Sequence, residues 1–138
     1  MFRGCENLEK LDVSYLNTNN SKSFRYMFSR SSKLKEINVS KFKTTNCENI
    51  YGMFQDCSSL ESIDMLNWDM KNKNNIEYLF ADCSKLKNIK MNFNNNKKLS
   101  FGLIFLGLPK DGSFIYKKGN NCEELLKRLP KSWKITQE

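Results

Sequence analysis

Met53-Phe54-Gln55-Asp56-Cys57-Ser58-Ser59-Leu60-Glu61-Ser62-Ile63-Asp64-Met65 decides the fold, because its apolar positions return 26 residues upstream and downstream. Phe54 falls in a column with Phe2, Phe28 and Phe80, and Leu60 in one with Leu8, Leu34 and Leu86. Two more columns run through Leu11, Ile37, Ile63 and Ile89, and through Val13, Val39, Met65 and Met91. Phenylalanine is only 10 of 138 residues, so one such column has a chance of roughly 3 in 100,000 at a fixed period. Four columns together make a stacked repeat, in which each unit buries its apolar face only against its neighbours.

The pattern changes period within each unit. Leu8-x-x-Leu11-x-Val13 ends in alternation, which predicts a short strand with Leu11 and Val13 inward and Lys10, Asp12 and Ser14 outward. Further on, the apolar positions become Phe24, Met27, Phe28 and Ser31, then Ile50, Met53, Phe54 and Cys57, then Ile76, Leu79, Phe80 and Cys83. This i, i+3, i+4, i+7 spacing predicts a helix of about three turns. Asn20, Asn46 and Asn72 stand where N-caps belong. The expected fold class is therefore an α/β solenoid, with a parallel sheet on one face and short helices on the other. It forms a single repeat domain over residues 1–138, with repeats of about 1–26, 27–52, 53–78 and 79–104 and a C-terminal cap of about 105–138. The unit from Leu99 to Leu108 keeps its apolarity but loses register; the cap is expected to hold a Ser113 to Tyr116 strand, a Glu123 to Leu129 helix and Trp133.

Composition removes several function classes. The longest apolar run, Leu103 to Leu108, falls far short of the roughly 20 residues of a membrane span. No basic stretch followed by an apolar segment opens the chain, so it shows no secretory signal. Histidine is absent, which takes away the commonest general base and metal nitrogen. Five cysteines without a C-x-x-C argue against a closed disulfide framework and a zinc knuckle. The net charge of +8 is uneven: residues 1–69 hold nine basic and nine acidic side chains, and residues 70–138 hold fourteen and six.

The segments from Met1-Phe2-Arg3-Gly4-Cys5, Met27-Phe28-Ser29-Arg30-Ser31, Met53-Phe54-Gln55-Asp56-Cys57 and Leu79-Phe80-Ala81-Asp82-Cys83 resemble the 26-residue repeat of BspA-type leucine-rich repeat surface proteins. Thr44-Thr45-Asn46 leading to Ile50, Met53 and Phe54 is similar to that family's helical portion. The stretch from Leu108-Pro109-Lys110-Asp111-Gly112 and the later Leu129-Pro130-Lys131-Ser132-Trp133 look like its closing segment. Ser31 in place of Cys and Met70 in place of Thr depart from the pattern. The resemblance implies a leucine-rich-repeat-like right-handed superhelix, helices on the convex side, cell-surface or extracellular exposure as in exported lipoproteins, and adhesion or protein binding. It implies no catalytic residue and no cofactor. The missing secretory signal keeps a cytoplasmic location open.

Solenoids bind partners on the sheet, so the candidate ligand face is Lys10, Asp12, Ser14, Glu36, Asn38, Ser40, Ser62, Asp64, Leu66, Asn88, Lys90 and Asn92. Four strands give it on the order of 250 Å², against about 800 Å² per partner in a standard interface. Flanking loops, weak multivalent binding or a longer array would make up the difference. The first unit begins at its Met-Phe without the preceding helix, which leaves an uncapped strand edge. That edge suggests part of a longer array or self-association. Cys5, Cys57 and Cys83 share a column and are expected to form a buried thiol ladder, a Cys57 to Cys83 disulfide being the less favoured alternative. Lys71, Lys73, Lys85, Lys87, Lys90, Lys97, Lys98, Lys110, Lys117 and Lys118 read as a solvated face, with weak binding to an anionic surface as the alternative and no nucleic-acid motif. Asp12 and Asp64, about 10 Å apart along the stack, lack a cleft, and Ser14 and Ser40 lack a histidine base, so the chain is expected not to be an enzyme. The favoured function is a non-enzymatic interaction module for a protein or host-surface ligand. An intracellular scaffold or effector fragment and a spacer without a ligand are the alternatives.

Overall fold

The computed structural model describes residues 1–94 and 98–138. The chain coils into a parallel β-solenoid of about five turns. Its elements are β1 (Lys10–Leu11), β2 (Glu36–Ile37), β3 (Ser62–Met65), β4 (Asn88–Met91), β5 (Ser113–Tyr116), α1 (Glu123–Leu126) and β6 (Lys134–Gln137). β1 pairs with β2, and β3, β4, β5 and β6 form a second sheet in that order, every pairing parallel. Strands begin where the alternation predicts and bury the predicted columns: Ile63, Met65, Ile89 and Met91 are all buried. The first two strands are only two residues long, with Leu11 and Ile37 half-buried.

The phenylalanine column is present as a continuous pile of rings. Phe2, Phe28, Phe54, Phe80 and Phe105 follow at 5.7, 5.5, 6.1 and 6.3 Å, each pair within 14° of parallel. The last step is 25 residues, not 26. Ser100 bridges Asn75, and Phe114 pairs with Ile89, so the fifth unit is in register after losing one residue between Met91 and Ser100. The expected degenerate unit is thus a true coil, with Ile104 and Phe105 buried in it.

The cap helix is present in part, as α1, but among the described residues the three helices predicted within the repeats are not there. Opposite the strands, each coil is a run of tight turns whose backbone bonds alternate in direction. Phe24, Tyr26, Phe28 and Arg30 donate to the carbonyls of Asn49, Tyr51, Met53 and Gln55 on the next coil. Met27, Ser29 and Ser31 instead donate three residues back, to Phe24, Tyr26 and Phe28. Tyr26, Arg30, Gly52, Asp56, Tyr78 and Asp82 all have φ between 56° and 63°, the left-handed region that an α-helix never uses. The physical reason is spacing. Rings 5.5 to 6.3 Å apart hold successive coils closer than the roughly 8–10 Å that packed helices require. The turn ladder presents the same inward set, Phe24, Met27, Phe28 and Ser31, within that thickness. Asn46 and Asn72 accordingly do not cap helices: their side-chain amides donate to the carbonyls of Asn19 and Thr45 on the preceding coil, while Asn20 is exposed.

Several polar side chains in the interior bond along the stack. Ser31, Cys57 and Cys83 donate to the carbonyls of Phe2, Phe28 and Phe54 at 3.1, 3.1 and 3.0 Å, so serine replaces cysteine with its bond conserved in kind. The five cysteines are free thiols. Thr18 and Thr44 each bridge to the next coil, accepting from the amides of Lys43 and Asp69 and donating to their carbonyls. Met70 cannot do this, and its amide donates to the Asn94 side chain instead. Lys73 is wholly buried, and its ammonium donates to the carbonyls of Thr44, Cys47 and Asp69.

Candidate interaction surface

Outward residues of the strands line up because the coils stack in register. In the four-stranded sheet one row is Ser62, Asn88, Ser113 and Lys134 and the next Asp64, Lys90, Ile115 and Thr136; in the two-stranded sheet Lys10 pairs with Glu36, and Asp12 and Asn38 follow two residues on. The face therefore has six strands, not four. Two strands more raise its area to about 370 Å², still under half of a standard partner footprint. Ser113 and Ile115 were legible in the alternation of Ser113-Phe114-Ile115-Tyr116, but Lys134 and Thr136 were not. Their strand ends the stack, with Ile135 44% exposed, so its inward and outward residues differ little in polarity.

Three candidates first serve the backbone. Asp12, Asn38 and Asp64 each accept the amide two residues on, from Ser14, Ser40 and Leu66, at 2.9 to 3.0 Å. Such Asx turns end the strands and start the corner. The Ser14 hydroxyl and amide also hold the Asp12 carboxyl below its ordinary range. Asn38 additionally accepts from the Ser40 hydroxyl. Asn92 does not belong to the face: it is buried, donating to the Trp68 carbonyl and accepting from Asn120, because the corner folds over it there. Leu66 and Lys90 are half-buried, and the other candidates are exposed.

Charge on this side is arranged in alternation. Glu9, Lys35, Glu61, Lys87 and Asp111 follow one another up the stack, with contacts of 2.9 Å between Glu9 and Lys35 and 3.5 Å between Lys87 and Asp111. Lys10 and Glu36 meet at 2.7 Å. Hydrogen bonding and attraction between Glu9 and Lys35 lower the carboxyl and raise the ammonium pKa. Exposed pairs of this kind contribute little stability. A one-residue slip along the strands would nevertheless set Lys10 beside Lys35 or Glu9 beside Glu36, so they favour the native register.

The ladder lapses between β2 and β3. The Glu61 amide to the Lys35 carbonyl, at 3.3 Å, joins the two sheets there. A shallow groove of about 360 Å³ opens beside it, lined by Asn38, Ser40, Ser62, Asp64 and Lys90. A neighbouring hollow of about 410 Å³ adds Lys10, Asp12 and Glu36. Together they make an open surface on which Leu11, Ile37, Val39 and Ile63 lie between the polar groups and two lysines face three carboxylates, suited to surface contact and not to enclosing a small molecule.

The lysine-rich half is less uniform than its composition suggests. Lys73 lies in the interior, where its ammonium donates to three carbonyls, and so leaves the expected solvated set. Lys87 is paired with Asp111. Lys97 lies outside the described residues.

Comparison with known protein families matches residues 1–108 to one described as a Mycoplasma protein of unknown function, DUF285. No curated protein and no solved structure matches the chain.

Proposed function

Because the chain belongs to the DUF285 family, which spans most of its coils, we propose that it is a non-enzymatic, BspA-like interaction module. It contacts a protein or host-surface ligand through the strand face and its adjoining corners. One observation carries this reading: the four parallel strands β3 to β6 hold two rows of mostly polar side chains in fixed register beside the β1–β2 pair, on a wall whose inner side is the core. A rigid wall loses little freedom on binding, which is the advantage of a solenoid platform over a loop. Its small area fits weak contacts summed over several copies or over flanking corners.

The test is adhesion of the labelled chain to host-cell surface protein, comparing the parent with Ser62→Arg/Lys90→Glu. Both positions avoid the Asx turns, so folding is retained. Binding by the parent and at least a tenfold loss in the variant is the expected result. Equal binding by the two would remove the strand face from consideration.

A further inference from the structure

The basic side chains of the first coils divide between the two long sides of the solenoid. On the strand side Lys10 and Lys35 are paired with carboxylates. On the turn side Arg3, Arg25 and Arg30 are exposed, and among the described residues every ion pair uses a lysine and none an arginine. Asp56 stands on the same side, one coil on from Arg30, and among the described residues makes no ion pair with it.

Two of these arginines are held by tyrosines. The Arg3 and Arg25 guanidinium carbons lie 4.7 and 5.1 Å from the centre of the Tyr26 ring, and Arg25 is also 5.1 Å from that of Tyr51. Tyr26, Tyr51 and Tyr78 form a half-exposed row with centres 5.2 and 5.4 Å apart. The row exists because position 52 is glycine: a Cβ there would stand 2.6 Å from Cε1 of Tyr26. A guanidinium held over an aromatic ring keeps N–H donors for an anion, and its side chain is already ordered. Two such cations gathered at one ring repel each other, and a bound anion relieves that repulsion.

We propose that the Arg3, Arg25, Tyr26 and Tyr51 cluster is a binding site for acidic polysaccharide. Sulfate or carboxylate groups accept from the guanidinium edges, and sugar rings lie along the tyrosine row toward Tyr78. Single-stranded nucleic acid is the other polyanion that uses aromatic side chains, but it stacks bases on open ring faces. Here the Tyr26, Tyr51 and Tyr78 rings are inclined 79° and 43° to one another, so they offer no run of parallel faces for successive bases. The site lies away from the strand face, so it stands independently of the protein contact proposed there.

Immobilised heparin is the probe, with the full chain applied at low salt. The parent is retained and is released as salt rises. Arg3→Gln/Arg25→Gln is expected to bind about tenfold more weakly or worse. Lys117→Gln/Lys118→Gln/Lys131→Gln removes more charge yet keeps most of the binding, and Ser62→Arg/Lys90→Glu keeps it too. Unchanged Trp68 fluorescence and melting show that the arginine variant is folded. Retention that survives the arginine change, or that falls only in the lysine variant, overturns the site. Equal affinity for uncharged dextran does the same. Tighter, arginine-dependent binding of oligothymidylate reassigns the cluster to nucleic acid and overturns the glycan.

Discussion

Phe54→Ala removes the middle rung of the ring column. Phe54 has no solvent exposure and lies between Phe28 at 5.5 Å and Phe80 at 6.1 Å, nearly parallel to both. Phe to Ala in a core costs about 3–5 kcal/mol, and two lost ring pairs place this case at the upper end. The backbone bonds of Phe28 to Met53 and of Phe54 to Leu79 hold the coils apart, so the gap cannot close. Phe2 is half-buried and has one stacked partner, so Phe2→Ala should cost about half as much. Asn38→Ala loses an exposed Asx turn and should cost about 1 kcal/mol. Urea unfolding can be followed at two places, because Trp68 is buried in the middle coils and Trp133 in the cap. Repeat stacks need not unfold in one step, so both probes are required. The expected order of loss is Phe54, Phe2, Asn38, with Trp68 responding more strongly to Phe54→Ala than Trp133. If Asn38→Ala cost as much as Phe54→Ala, or Phe2→Ala matched it, the ring column would not be what stabilises the stack.

Gly52→Ala places a Cβ at φ +57° and 2.6 Å from the Tyr26 ring, and should cost about 1–3 kcal/mol; an unchanged melting temperature would contradict the left-handed turn. Burial pushes the Cys57 thiol up to about 12 and raises Cys83 well above the ordinary range, while Cys5 is half-exposed. Iodoacetamide at neutral pH should therefore label Cys5 first and reach Cys57 and Cys83 only on unfolding, as read by peptide mass spectrometry. Burial lowers the Lys73 pKa below 10.5, so the folded chain releases this proton at lower pH than the unfolded chain does. Stability relative to Lys73→Met should then rise as pH climbs from the folded value to 10.5, and flat difference curves in urea titrations would refute that.

Much of the stack was readable from single residues. Phe28, Phe54 and Phe80 had to be neighbours, and Ile63 and Met65 had to face inward, because only coiling superposes side chains at a constant interval. The helix expectation failed at Phe24, Met27, Phe28 and Ser31, whose spacing suits a helix and a chain of tight turns equally. Gly52 in mid-segment and the recurrent Asp56 and Asp82 were the available signals, since these residue types tolerate positive φ more readily. Lys73 and Asn92 looked like surface residues because polarity was the only evidence of their position. Their carbonyl partners lie 24 to 29 residues away in the chain, apart from the nearby Asp69.

Periodicity by itself determined that this protein is a stack of parallel strands around aromatic and aliphatic columns, for burial demands that like positions superpose. Tertiary structure decided what spans the other wall, how many strands the outer face has, and which cations are free. Those outcomes depend on distances between coils: rings near 6 Å leave no room for helices, and arginines 22 residues apart in sequence converge on one tyrosine only once the chain has wound.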